Sequence, residues 1–205
     1  MNLHSLAATT ALVLSFGCTQ PPAHAAPPAK PPPATEVKRE APAQLQTAYL
    51  AGGCFWGMEE LLRKIPGVID TEVGYAGGRT SSPTYFEVAA GNTGHAETVK
   101  VVFDPAKLPY EELLEKWYFR MHDPTTLNRQ GNDKGTQYRS AIFVVDAAQR
   151  KAAEAVKKRV DASGKWKNPV VTSIEPFGDF TPAEAYHQKY LQKNPGGYTC
   201  HYLRD

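Results

Sequence analysis

One cysteine stands between a turn residue and two large aromatic residues, in the run Gly53-Cys54-Phe55-Trp56-Gly57. A short apolar run precedes this motif and a helical pattern follows it, so we expect Cys54 at the first turn of a helix. Unpaired N–H groups and the helix dipole at that end favour the thiolate, which is the reactive form of cysteine. The pattern predicts a nucleophile beside an apolar wall, whereas the alternative is a small core residue with no chemistry.

Glu97 is the second candidate, because it begins the apolar face of a strand and shares that face with Val99 and Val101. A carboxyl group at the end of a buried row loses part of its hydration, which raises its pKa and keeps it protonated near neutral pH. Such a group donates a hydrogen bond or a proton. The alternative is a solvated glutamate at the end of the strand.

Three further polar side chains, those of Tyr85, Asp133 and Tyr138, fall in turn-rich or polar segments. A phenol in a cleft donates a hydrogen bond to an oxygen atom, whereas a phenol on the surface only packs its ring. Asp133 lies between two glycines in the run GNDKG, where it either orients a neighbouring donor or makes a turn.

Cys200 follows the flexible segment Pro195-Gly196-Gly197 near the end of the chain. A cysteine on a mobile tail can approach a reactive sulfur and leave again, so Cys200 is a candidate partner of Cys54. A permanent disulfide between the two, in a non-catalytic protein, is the alternative for an exported chain. The spacing leaves both interpretations open.

Histidines provide the other rival, a cysteine hydrolase in which His95, His122 or His187 activates Cys54. That chemistry needs a histidine within reach of the sulfur and a third group that orients it. His187 follows one tyrosine and precedes another on a predicted helix, which is more typical of packing. No pair of histidines has ligand spacing supported by a further ligand, so we expect no metal.

The elements that must position these residues follow from the hydrophobic pattern. We predict strands at 45–51, 68–75, 97–103, 139–145 and 170–176, and helices at 54–64, 110–122, 147–162 and 182–192. Segments 81–94 and 123–138 are predicted to be turns and polar loop. This order indicates an α/β (α+β) fold with a single mixed sheet and packed helices, whose βαββαβ core is a ferredoxin-like split βαβ arrangement.

The first 44 residues have a different composition from this domain, which we place at 45–205. Residues 6–17 are apolar, too short to span a bilayer but suited to the core of a signal peptide. Cleavage after Ala23-His24-Ala25 would remove residues 1–25, and Cys18 is an alternative lipoprotein site. Residues 26–44 form a Pro/Ala-rich linker. We expect export to a bacterial periplasm or cell envelope, with membrane anchoring only through a lipidated Cys18.

The charge of the chain argues against a nucleic-acid partner. Its 23 basic and 21 acidic residues nearly balance, for a net charge of +2, and the basic residues are scattered along the sequence. Proteins that bind nucleic acid instead gather basic residues in a patch or stripe. We expect a monomer whose partners are small molecules or other proteins.

Five motifs occur together in one order: GCFWG at 53–57, GYAGG at 74–78, GHAE at 94–97, HDPT at 122–125 and RQGNDKGTQYRS at 129–140. In this combination the chain resembles the A-type peptide methionine sulfoxide reductases. The resemblance implies that Cys54 is the nucleophile and that Phe55 and Trp56 hold the methyl group of the substrate. It also implies a set of groups that bind the sulfoxide oxygen, with Asp133 close to them: Glu97, Tyr85 and Tyr138.

The resemblance further implies a redox cycle. Cys54 would end as a sulfenic acid, Cys200 would resolve it as a disulfide, and an external thioredoxin-like dithiol would reduce the disulfide. The expected substrates are oxidised proteins or peptides and free methionine sulfoxide, in the S form. No bound cofactor or metal is required. Together with the exported N-terminus, this predicts the repair of oxidised envelope proteins.

Overall fold

The structure is a computed structural model, and it describes residues 44–205. The predicted signal peptide, Cys18 and the predicted linker up to residue 43 lie outside the described residues. Within the described part of the chain, no helix is both long enough and apolar enough to cross a membrane.

Strands and helices alternate along most of the chain. The strands are β1 (Gln46–Gly52), β2 (Val68–Ala76), β3 (Ala96–Phe103), β4 (Arg129–Gln130), β5 (Asp133–Lys134), β6 (Ser140–Val144), β7 (Ser173–Pro176) and β8 (Phe180–Pro182). The helices are α1 (Phe55–Leu62), α2 (Tyr85–Ala89), α3 (Tyr110–Glu112), α4 (Phe119–Met121), α5 (Ala147–Ala162) and α6 (Tyr190–Lys193). A π-helical segment, Leu113–Tyr118, joins α3 to α4, and a 3₁₀ turn, Thr136–Tyr138, precedes β6.

Six strands form one mixed sheet in the order β7-β6-β1-β3-β2-β8. β6 and β7 are parallel, and the other neighbouring pairs are antiparallel. The inner order β6-β1-β3-β2 is that of the split βαβ arrangement, so the predicted fold class is confirmed. β4 and β5 form a separate two-stranded hairpin.

The centre of the sheet and α1 hold the core. α1 turns Phe55, Met58 and Leu62 inward at helical spacing, and each is at most 1% exposed. They pack in one cluster with Val99 and Val101 of β3. Burying one such side chain contributes about 1.5–3 kcal/mol. The start of α1 is therefore held firmly against β3, the strand that begins with Ala96 and Glu97.

The predicted helix at 182–192 is wrong. Pro182 ends β8, which pairs with Gly74 on the free edge of β2, a position where proline's missing N–H is tolerated. The Gln188 side chain then bonds to both backbone groups of Val73, so the chain follows that edge. Lys189 has a φ of +53°, which separates this segment from the short α6.

Two segments predicted to be irregular contain short elements that position the site. α2 lies inside 81–94 and begins with a capping box between Thr84 and Glu87, which places Tyr85 at its first turn. The β4–β5 hairpin lies inside 123–138 and carries Asp133. Both elements have five residues or fewer in a strand or helix, which is too short to show a hydrophobic period.

Candidate active site

Cys54 occupies the turn between β1 and α1, immediately before the first helical residue, and is 6% exposed. Gly53 makes this turn with a φ of +102°, a conformation that favours glycine. The predicted sequence of strand, glycine, cysteine and helix is confirmed. The sulfur therefore lies at the N-terminus of α1, at the edge of the core.

The predicted preference of Cys54 for the thiolate is wrong for the resting site. Burial, and then the nearby carboxyl group of Glu97, raise the pKa of the thiol above its usual value, although the Trp56 backbone N–H acts in the opposite direction. The Phe55 N–H, which also lies at the start of α1, donates instead to Glu97 Oε2 at 3.0 Å. One of the free N–H groups at the N-terminus of α1 is thus used by the Glu97 carboxyl group and not by the Cys54 sulfur.

Glu97 is buried on β3, with 3% of its surface exposed, as the strand pattern predicts. Burial raises the pKa of its carboxyl group to about 8, against the lowering effect of the Phe55 N–H. The group is therefore protonated at neutral pH. A carboxylic acid with one oxygen occupied by Phe55 has its proton available for a substrate oxygen.

Two aromatic side chains, Phe55 and Trp56, follow Cys54 and form an apolar wall, and other residues hold Trp56 in place. Phe55 is 1% exposed and lies mainly in the core, whereas Trp56 is half-buried. The Trp56 indole stacks on Tyr190 with ring centroids 3.8 Å apart and donates from Nε1 to His187 Nδ1 at 3.0 Å. Tyr190 was not among the predicted site residues, although it follows His187 by three residues. His187 packs among aromatics, as its pattern predicts.

Tyr85 and Tyr138 come together around the same groups. Burial raises the pKa of both phenols, and the charge of Glu97 raises it further, with Cys54 as an additional contributor. Both phenols are therefore neutral hydrogen-bond donors at neutral pH. The structure brings these two tyrosines, Cys54 and Glu97 into one electrostatic cluster.

Glu184 holds Tyr85 in place and was not found by sequence reasoning. One carboxylate oxygen accepts the Tyr85 backbone N–H at 2.9 Å, and the other accepts the Tyr75 hydroxyl at 2.9 Å. The carboxylate lies 99 residues from Tyr85 in sequence. No local pattern joins groups at such a separation.

Asp133 links the site to the C-terminal tail. Its Oδ2 accepts from the Tyr198 hydroxyl at 3.1 Å and from the Cys200 thiol at 3.5 Å. Its charge also raises the pKa of Cys54 and of Glu97. The side chain is therefore placed between the reactive groups and Cys200.

Cys54 and Cys200 are both free thiols in the structure. Cys200 is half-buried, and burial together with Asp133 raises the pKa of its thiol to about 11. Its Sγ lies 3.5 Å from His201 Nδ1. Both sulfurs are protonated at rest, and both lie within the electrostatic influence of Asp133.

Comparisons with known proteins show which family the chain belongs to. Residues 46–205 match the sequence model of a family described as peptide methionine sulfoxide reductase. The chain belongs to this family. It is a thiol-dependent oxidoreductase, and its resemblance to the A-type enzymes is confirmed.

Two relatives, one of them in two crystal structures, illustrate the similarity. A peptide methionine sulfoxide reductase MsrA from Mycobacterium sp. (strain MCS) is 54% identical over 157 residues, which are 77% of this chain and 89% of that protein. The crystal structure of Mxr1 from Saccharomyces cerevisiae in reduced form has a TM-score of 0.75 and 43% identity, covering 80% of this chain and 95% of that one. Mxr1 in complex with Trx2 has a TM-score of 0.54 and 30% identity, covering 83% of this chain and 97% of that one.

The histidines of the reductase do not assemble a hydrolase. His122 is fully buried, with Nδ1 3.0 Å from the Tyr118 carbonyl and Nε2 2.7 Å from the Ser140 hydroxyl. Burial lowers its pKa to about 3. Among residues 44–205, no histidine is hydrogen-bonded to Cys54. In the same range, no three histidine, cysteine or acidic side chains are grouped to hold a metal ion.

Proposed function

We propose that this reductase returns methionine-S-sulfoxide to methionine, in proteins, in peptides and as the free amino acid. The observation that carries the proposal is the buried carboxyl group of Glu97, which accepts a hydrogen bond from the N–H of Phe55, the residue that follows Cys54, and whose pKa burial raises to about 8. A thiol nucleophile, an adjacent acid and an aromatic wall are what a sulfoxide requires. Its oxygen accepts hydrogen bonds, its methyl group is apolar, and its sulfur accepts the nucleophile.

In the first step the Cys54 sulfur attacks the sulfoxide sulfur while Glu97 gives a proton to the oxygen. The oxygen moves to Cys54, which becomes a sulfenic acid, and methionine is released. The proton lost by the Cys54 thiol restores Glu97, so the step needs no further acid. A negative charge on Glu97 disfavours the Cys54 thiolate. The thiolate therefore forms more readily while Glu97 is protonated, and the thiolate in turn favours the protonated form of Glu97.

The substrate oxygen lies between Glu97 and the phenols of Tyr85 and Tyr138. The methyl group lies against Phe55 and Trp56. With oxygen and methyl group assigned to opposite walls, the stereocentre at sulfur presents the rest of the chain in one direction only. One epimer is accepted, and each of the two known reductase types serves one.

Cys200 completes the cycle by forming a disulfide with Cys54, which an external dithiol then reduces by exchange. Two free thiols near one carboxylate support this pairing. The structure of the yeast relative Mxr1 in complex with Trx2 supports a thioredoxin-like reductant.

We also place the reductase in the bacterial envelope, where it repairs oxidised proteins. The apolar segment 6–17 and the cleavage sites after it support export. Intact-mass measurement on protein from the native host tests this. A start at Ala26 or a lipidated Cys18 agrees with export, whereas unprocessed protein in the cytoplasm contradicts it.

The decisive experiment follows the reduction of the two methionine sulfoxide epimers with dithiothreitol. We expect turnover of the S form and essentially none of the R form. Cys54→Ser is the control that shows the activity belongs to this site. Equal rates on both epimers, or no turnover of either by correctly folded protein, would overturn the proposal.

A further inference from the structure

The tail that carries Cys200 is seated on the domain at its far end. His201 is 7% exposed, and its Nε2 lies 2.7 Å from the Gly52 carbonyl oxygen at the end of β1. Three residues further on, Arg204 N–H donates to the Arg120 carbonyl at 2.9 Å, and Arg120 Nε donates to the Arg204 carbonyl at 2.6 Å. Cys200 thus lies between the glycine-rich segment 195–197 and an anchored end.

Glycines of the GCFWG motif provide the seat for His201. A Cβ at Gly57 would meet His201 Nδ1 at 2.5 Å and would also clash with the Thr199 hydroxyl. A Cβ at Gly53 would lie 3.2 Å from His201 Cε1. The tail therefore crosses the first turn of α1 directly beside Cys54, in a space that these two glycines leave open.

Both nitrogens of the His201 ring face defined partners. A carbonyl oxygen only accepts, so Nε2 carries the proton and donates it to Gly52. Nδ1 is then an acceptor, and it lies 3.5 Å from Cys200 Sγ. Burial lowers the pKa of His201 to about 4, so the ring keeps this neutral form at physiological pH.

We propose that His201 is the positioning residue for resolution: its bond to Gly52 holds Cys200 beside Cys54, ready to attack the sulfenic acid. The inference rests on the proposed cycle. In that step the Cys200 sulfur forms a bond to the Cys54 sulfur, the S–O bond of the sulfenic acid breaks, and the hydroxyl group leaves as water with the proton of the Cys200 thiol. No further oxidant or reductant enters.

The test compares two substitutions that each keep half of the ring's contacts. His201→Gln keeps an amide donor for Gly52, whereas His201→Asn keeps a polar group near Cys200 but falls short of Gly52. After one equivalent of methionine-S-sulfoxide, the first reduction is read from the methionine formed. Resolution is read from the loss of dimedone-reactive sulfenic acid and the appearance of the disulfide by mass.

We expect the ratio of resolution rate to first-reduction rate to fall about tenfold in His201→Asn, the effect of losing one buried hydrogen bond. It should stay within about threefold of wild type in His201→Gln, because the bond to Gly52 is kept. Leu203→Ala is the matched control, since that side chain, two residues further along the tail, is 39% exposed. It should leave the ratio unchanged.

A second variant disturbs the same contact by changing α1, against which His201 packs. Gly57→Ala favours α1 itself but fills the space that His201 and Thr199 occupy. We expect it to lower the ratio of resolution rate to first-reduction rate. It tests the inference independently if a His201 variant folds poorly.

Two outcomes would overturn the inference: a wild-type ratio in both His201→Asn and Gly57→Ala, or a lower ratio in His201→Gln than in His201→Asn. Normal thioredoxin-driven cycling by Cys200→Ser is a different result, because it would overturn the proposed cycle itself.

Discussion

The two cysteines of the domain lie in regions that are built differently. Cys54 is held by the turn between β1 and α1 and backed by the main core, with 6% of its surface exposed. Cys200 lies on a tail attached through a few polar contacts, chiefly those of Tyr198 and His201. The nucleophile is thus fixed by the core, whereas the resolving thiol is fixed by the polar contacts of the tail.

The two thiols share one property, for different local reasons. Burial raises the pKa of each, and the carboxyl group that adds most to the effect is Glu97 for Cys54 and Asp133 for Cys200. Neither sulfur is a thiolate at rest. A substitution at Glu97 is therefore expected to act on the Cys54 step, whereas one at Asp133 changes the charge near both sulfurs.

Cys54→Ser gives the largest expected effect, because both steps need this sulfur. A hydroxyl group is a far weaker nucleophile at neutral pH, so we expect sulfoxide reduction to fall by at least about 10³-fold. Methionine formation with dithiothreitol measures it. Substantial residual turnover would show that Cys54 is not the nucleophile, the role that distinguishes it from Cys200.

Glu97 should affect the first step alone. We expect a loss of about 10³-fold in Glu97→Ala and a smaller loss in Glu97→Gln, which keeps a hydrogen-bond donor but has no proton to give. Single-turnover methionine formation measures the effect. Wild-type rates in both variants would show that the carboxyl group has no chemical role.

The pH dependence of the first step follows from the same carboxyl group. Its pKa in the folded protein is raised to about 8, so the acid form is present below that pH and is lost above it. The Glu97-dependent rate should therefore fall as pH rises through about 8. The Glu97→Gln variant should lack this fall. A decline of the same size in the variant would assign it to another group.

Cys200→Ser should separate the steps. We expect about one equivalent of methionine in a single turnover, because Cys54 and Glu97 are unchanged, but a fall of about 10²-fold in thioredoxin-driven turnover. A small dithiol should restore part of the activity by attacking the sulfenic acid directly. Loss of the single turnover in a folded variant would mean that the tail shapes the substrate site.

Asp133→Asn should give the smallest effect. Removing the carboxylate removes one cause of the raised Cys200 pKa, so more thiolate forms at a given pH. We expect disulfide formation at neutral pH to accelerate by roughly threefold. Glu154→Gln, an exposed change on α5, is the control. A slower disulfide step would show that the contact of Asp133 with the tail matters more than its charge.

The local sequence pattern was enough to predict much of the fold and several site residues. The alternation that begins at Glu97 made it a candidate for a buried carboxyl group, which the structure confirms, and the strand–glycine–helix motif predicted the position of Cys54. The order of strands and helices predicted the split βαβ core, because each of those elements shows its own hydrophobic period. The motifs at 53–57, 74–78, 94–97, 122–125 and 129–140 indicated the family.

Only the tertiary structure decided how these groups act on one another. The helix terminus alone predicted a thiolate at Cys54, but β3 brings Glu97 and a buried environment to the same sulfur, and desolvation outweighs the helix. The edge of β2 holds the start of the segment that was predicted to be a helix, because Pro182 pairs with Gly74 and the Gln188 side chain bonds to Val73. Glu184 reaches Tyr85, and His201 reaches Gly52, across 99 and 149 residues of sequence. Burial and charge depend on neighbours in space, and the chain order does not contain those distances.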